Sequence, residues 1–111
     1  MVYGVLANTY TNAKADLTST GATTLYTCAS ATTAIVKSII VSEDSGNADT
    51  ITVTLTNGSD IFSLFKTKSI SANATAELLS APLVLQATEI LKVTAATANR
   101  LHVVASILEI T

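Results

Sequence analysis

Residues 50 to 56, "TITVTLT", alternate threonine with a large aliphatic residue at every step, a period of two that fits a half-buried strand and not a helix. Ile51, Val53 and Leu55 then share a core face, and Thr50, Thr52, Thr54 and Thr56 share the other. β-Branched residues suit a pleated surface on either side. The dipeptide that follows, Asn57-Gly58, accepts positive φ at both central positions of a type I′ turn. The strand is therefore expected to fold back as a hairpin onto Ile61 to Lys68, with Ser59 and Asp60 leaving room for a longer loop or a bulge.

The same grammar runs through most of the chain. Segments rich in Val, Ile, Leu and Thr extend over Thr23 to Cys28, Ala34 to Ser42, Thr50 to Thr56, Ile61 to Lys68, Thr75 to Leu79, Leu83 to Leu85, Glu89 to Ala95 and Leu101 to Glu109. Gly, Asn, Asp, Ser or Pro clusters separate them at the spacing of a sandwich or barrel. "NATAELLSA" has room for one helical turn, but no stretch keeps a helical period. The expected fold is all-β, an antiparallel β-sandwich of about eight short strands, of which the jelly roll is one form. A chain of 111 residues holds one such domain. It is assigned to residues 23–111, and the polar, Thr/Asn/Ala-rich residues 1–22 are read as a less ordered N-terminal arm. Pro82 marks the start of an edge strand, and Lys66 and Lys68, on one strand face, read as protection of another edge.

Two segments break the alternation. In "AIVKSIIVS", Ile35, Ile39 and Val41 fall on one face while Val36 and Ile40 fall on the other; in the last segment, Leu101, Val103, Ala105 and Ile107 are separated from Val104, Leu108 and Ile110. Strands apolar on both faces need a second cover. That cover is an interface with another subunit through Val36, Ile40, Val104 and Leu108, or the N-terminal arm, or else a β-bulge switches faces midway. Charged residues make up 13% of the chain, against about 25% in an average soluble domain, and the net charge is −2. A surface so poor in charge fits partial use in assembly, which favours the interface.

Residues for chemistry are scarce. His102 is the single histidine and lies in the apolar stretch "RLHVVAS", so it reads as structural or solvated. No G-x-S-x-G elbow occurs, and the lone Cys28 has no thiol-enzyme signature around it, so it reads as a small buried hydrophobe. Glu43, Asp44, Asn47 and Asp49 carry oxygens in one loop, but their spacing does not match an EF-hand, and a solvated turn is the simpler reading. No catalytic, cofactor or metal residue is assigned, and no enzyme activity is expected.

Other partner classes fare no better. Lys14, Lys37, Lys66, Lys68, Lys92 and Arg100 are scattered and outnumbered by acids, which argues against nucleic acid. Tyr3, Tyr10 and Tyr26 are too dispersed for a stacking platform but suit interface anchors. A glycan-binding or adhesion module is the rival of another class, weakened by the absence of Trp. No apolar run is long enough for a membrane helix. The opening residues lack a secretory n-region, so a reducing cytoplasm is the expected site of folding. In that setting the two N-x-[ST] matches, at Asn57 and Asn73, read as turn and strand residues.

From "TTLYTCASATTAIVKSIIVSEDSGNADTITVTL" to "LLSAPLVLQATEILKVTAATANRLHVVASILEI", the chain resembles small virion structural proteins of tailed bacteriophages. The likeness lies in an "LYT" strand leading through a turn into "TAIVKSIIVS", a polar loop into "ADTITVTL", and "LVLQATEILKVTAA" before a final strand ending in "EI". It spans about residues 23 to 110 and consists of strand grammar, not of chemistry. The resemblance implies a sandwich, of which the jelly roll is one form, that acts as a capsid decoration or cement protein in the virion. It also implies a homo-oligomer, often a trimer, bound to the major capsid protein or other virion proteins, with tail, neck, baseplate or fibre components as the alternative.

Overall fold

The computed structural model describes residues 7–111. Nine strands form two antiparallel sheets, and no helix occurs among the described residues. The strands are β1 (Asn8–Asp16), β2 (Thr23–Thr27), β3 (Thr33–Glu43), β4 (Asp49–Thr56), β5 (Ile61–Ile70), β6 (Thr75–Glu77), β7 (Leu83–Leu85), β8 (Ile90–Ala95) and β9 (Leu101–Ile110). One sheet has the order β1-β9-β3-β6, with β7 also paired to β3, and the other has the order β2-β8-β4-β5.

This order has a simple origin. β4 pairs with β5, β3 with β6 and β7, β2 with β8, and β1 with β9, so the chain is one long hairpin, nested pair within pair, whose tip is the β4–β5 loop. Rolling that hairpin places successive pairs in alternate sheets and lets β9 meet β3 and β8 meet β4. The result is the jelly-roll connectivity.

The inward faces supply the core. Ile51 and Val53 of β4, Leu91, Val93 and Ala95 of β8, Ile39 and Val41 of β3, and Leu101, Val103, Ala105 and Ile107 of β9 are all buried. Each fully buried Leu, Ile or Val contributes about 1.5–3 kcal/mol relative to an exposed one. The eight sequence-predicted strands are present with ends displaced by a residue or two, and "NATAELLSA" holds β6 and a connecting loop without a helical turn.

One local feature departs from the sequence reading, and two realise alternatives it left open. Residues 8–16, read as part of an arm, form β1, whose every residue is in register with β9. Residues 1–6 of that arm lie outside the described residues. The β4–β5 turn is a four-residue loop, since Thr56 pairs with Ile61, and of its residues Gly58 alone has positive φ, at 109°. Asn57 instead accepts the Asp60 N–H on its side-chain oxygen at 3.1 Å, while its own N–H reaches the Asp60 carbonyl at 3.3 Å. Finally, β3 carries a bulge: Val36 pairs with Ile107 and Ser38 with Ser106, leaving Lys37 as an extra residue.

Candidate interface

The bulge decides which side chains of β3 look outward. Before it, Val36 points inward; after it, Ile39 and Val41 do, and all three are completely buried. Val36 is thus removed from the proposed interface, because the extra residue at Lys37 inverts the strand's parity and seats Val36 in the domain's own core. Ile35, assigned by strict alternation to the same face as Ile39, is half-buried on the outside instead. Ile40 remains outward at 37% exposed, as does Val104 at 41%, and Leu108 is half-buried beside them.

Directly opposed residues of antiparallel strands share a face, so the registers assemble the outer surface row by row. Tyr10 of β1 lies opposite Leu108 of β9, Leu108 opposite Ile35 of β3, and Ile35 opposite Val84 of β7. Four strands therefore contribute one continuous apolar row, at whose ends Tyr10 is 74% and Val84 54% exposed. The next row is short and polar, with Asn12, Ser106 and Ser38. Beyond it, Val104 faces Ile40, flanked by Lys14 and Glu77. The last row holds Asp16, His102, Ser42 and Thr75.

The opposite surface of the sandwich has a different chemistry. Thr52 faces Thr94, and Thr54 faces Lys92 on one side and Ser63 on the other. Thr52 Oγ1 accepts the Thr67 N–H at 3.0 Å, where Thr67 has a φ of 48° and β5 is irregular. Thr50, Thr52 and Thr54 thus make a half-exposed hydroxyl face, of which Thr52 satisfies one backbone N–H of the adjoining edge strand, while Thr56 is buried and accepts the Gly58 N–H at 3.2 Å. Ile61 and Phe62 add exposed apolar surface at the start of β5.

The acidic loop is structural. Glu43 is buried, and its carboxylate accepts the Ser45 N–H at 2.8 Å, the Gly46 N–H at 3.1 Å, the Asn73 N–H at 2.9 Å and the Ser45 hydroxyl. Burial by itself pushes this carboxyl up, but the four donors outweigh it and hold the group at about 2. One side chain thereby fastens both the loop after β3 and the turn before β6. Asp49 likewise accepts the Thr97 N–H at 3.0 Å. Among the described residues no group of three or more His, Cys, Asp or Glu side chains is gathered as metal ligands would be.

His102 sits between two carboxylates, with Nε2 3.2 Å from Asp16 Oδ1 and Nδ1 3.5 Å from Asp44 Oδ2. It links β1, β9 and the acidic loop on an open surface. Cys28 is buried, with Sγ 3.3 Å from the Thr32 carbonyl oxygen, and burial pushes its thiol up. Tyr26 donates its hydroxyl to Glu109, and burial together with that carboxylate raises the phenol. Of the tyrosines considered as anchors, Tyr10 is the exposed one, Tyr26 is committed to the fold, and Tyr3 lies outside the described residues. The row from Tyr10 to Val84 escapes sequence reasoning because its members are distant in the chain and only the strand registers join them.

Comparison with known proteins adds little to this geometry. No protein-family model matches the chain, and no curated protein matches it. Among solved structures, a chain from the structure of infectious bursal disease virus Gt strain aligns over 96% of this chain at 10% sequence identity and a TM-score of 0.46. The alignment spans 32% of that viral chain, so this chain corresponds to about a third of its length.

Proposed function

We propose that this jelly roll is a non-enzymatic structural protein of a virus particle, and specifically a capsid decoration protein of a tailed bacteriophage that binds the major capsid protein. The observation that carries the reading is the outer surface of the five-stranded sheet. Its row from Tyr10 through Leu108 and Ile35 to Val84 is apolar across four strands and bordered by small hydroxyl and amide side chains. The sequence likeness to small phage virion proteins supports the same reading.

Physical argument connects such a surface to a shell. A capsid presents the same site many times, so a contact that is weak per copy becomes effective when it repeats by symmetry. Low charge then helps, because an unpaired charge buried at each site costs more in desolvation than it returns. Serines and threonines keep the sheet surface wettable before docking and leave no such charge behind. Val104 and Ile40 extend the apolar contact two rows along, and Lys14 and Glu77 fall at its rim, the usual place for charged groups at an interface.

Quantitative mass spectrometry of purified particles tests this reading. A copy number close to that of the major capsid protein is expected. Rings of three, six or twelve copies would transfer the protein to the tail, neck, baseplate or fibre, and its absence from particles would refute a virion role. Particles carrying Leu108→Asp together with Val84→Asp are expected to lose the protein, while the isolated domain keeps its fold.

A further inference from the structure

Four edges terminate the two sheets, and three carry devices that discourage strand addition. β2 is only five residues long and has an irregularity between Thr24 and Tyr26. The edge opposite β1 is divided between β6 and β7, three residues each, with Pro82 immediately before β7. β5 is long, but its pairing with β4 shifts twice, Thr67 has positive φ, and Lys66 and Lys68 are exposed.

β1 has none of the backbone devices and a single exposed lysine, Lys14. It runs nine residues without proline, glycine or a register shift, and among the described residues it pairs with β9 alone. Its inner-face residues, Thr9, Thr11, Ala13 and Ala15, are small and uncharged. We infer that β1 joins two copies of this chain by antiparallel pairing with itself, forming a continuous ten-stranded sheet about a two-fold axis at Asn12.

The sequence of β1 is complementary to itself in that register. With Asn12 on the axis facing its equivalent, Tyr10 lies opposite Lys14 of the second copy, Thr11 opposite Ala13, Thr9 opposite Ala15 and Asn8 opposite Asp16. No like charges meet. The two amides at the axis can hydrogen-bond to each other, and Lys14, whose ammonium donates to Asn12 Oδ1 of its own chain at 3.4 Å, comes opposite a tyrosine of the second copy, within reach of its ring. The outer rows also join: Val84, Ile35, Leu108 and Tyr10 of one copy continue through the aliphatic stem of Lys14 to Val104 and Ile40 of the other. The axis stands perpendicular to the sheet, so both outer surfaces face the same way. The contact is isologous and closes at two subunits. It stands independently of the virion reading and differs from the threefold arrangement that the sequence resemblance implies.

Sedimentation velocity over a concentration series is expected to show a monomer–dimer equilibrium. Asn12 is exposed, so Asn12→Asp and Asn12→Lys should leave the far-ultraviolet circular dichroism unchanged, and also the Tm at concentrations where the monomer dominates. Each should weaken the dimer about fivefold by opposing like charges at the axis, and an equimolar mixture of the two should restore it. Asn12→Cys should crosslink to its own equivalent under mild oxidation, because opposed Cα positions fall within disulfide reach, whereas Ser63→Cys on the other sheet should not. A monomer at every concentration, a trimer, a dimer indifferent to both Asn12 charges, or an Asn12→Cys that fails to crosslink would each overturn the inference.

Discussion

Val36 and Ile40 lie four residues apart on one strand, and an aspartate at each should have opposite consequences. Val36 is completely buried among inward-facing residues of the sandwich. Val36→Asp forfeits about 1.5–3 kcal/mol of side-chain burial. It also leaves a carboxyl without a partner, at a further cost of about 1–3 kcal/mol. The sum of about 3–6 kcal/mol is comparable to the whole stability of many domains this size, about 5–15 kcal/mol. With an m-value of about 1.5 kcal/mol/M, the urea midpoint should fall by about 2–4 M, if the protein folds at all. Ile40 is 37% exposed and lies opposite Glu77 and Val104. Ile40→Asp should cost about 1 kcal/mol or less, chiefly from the like charge across the strand pair. Urea titration followed by circular dichroism separates the two. Equal midpoints, or a Val36→Asp midpoint within about 0.5 M of the parent, would refute the inversion of parity at Lys37.

Three further predictions concern groups fastened inside the fold. Glu43 has a folded-state pKa of about 2 against an ordinary 4.5, so its stabilisation is complete above pH 4.5 and lost as pH falls toward 2; urea midpoints measured across that window should drop, and Glu43→Gln should flatten the drop. Cys28 is buried with its thiol raised, so a colourless thiol reagent that releases a chromophore should react only in denaturant. Tyr26→Phe removes the donor to Glu109 and should cost about 0.5–1.5 kcal/mol in thermal or urea unfolding.

Much of the fold is legible from the sequence because two-residue periodicity and turn chemistry act locally. The eight strands, the β4–β5 hairpin and the division of β9 into Leu101, Val103, Ala105 and Ile107 inward and Val104 outward all follow from it. What escapes depends on partners. β1 presents Ala13 and Ala15 toward the core, residues too small to give a hydrophobic signal, so its strand character emerges only against β9. The bulge at Lys37 exists because β9 supplies one residue where β3 supplies two; apolar residues on both faces of "AIVKSIIVS" allow a bulge, but only the register with β9 fixes its place. Ile40, Val104 and Leu108 are visible as residues apolar on the wrong face, whereas Tyr10, Ile35 and Val84 join them only once the registers are known.

The nesting of the hairpin also dictates a timetable for folding. The β4–β5 pair closes over a four-residue loop, whereas Asn8 meets Ile110 across roughly a hundred residues of chain. Loop-closure entropy makes the inner pair the cheap first contact and the outer pair the last. During synthesis β1 is made before every other strand of its sheet, and its partner β9 after all of them. β1 must therefore wait for its partner while the seven strands between them are made, and the five-stranded sheet gains its outermost strand only once β9 is available.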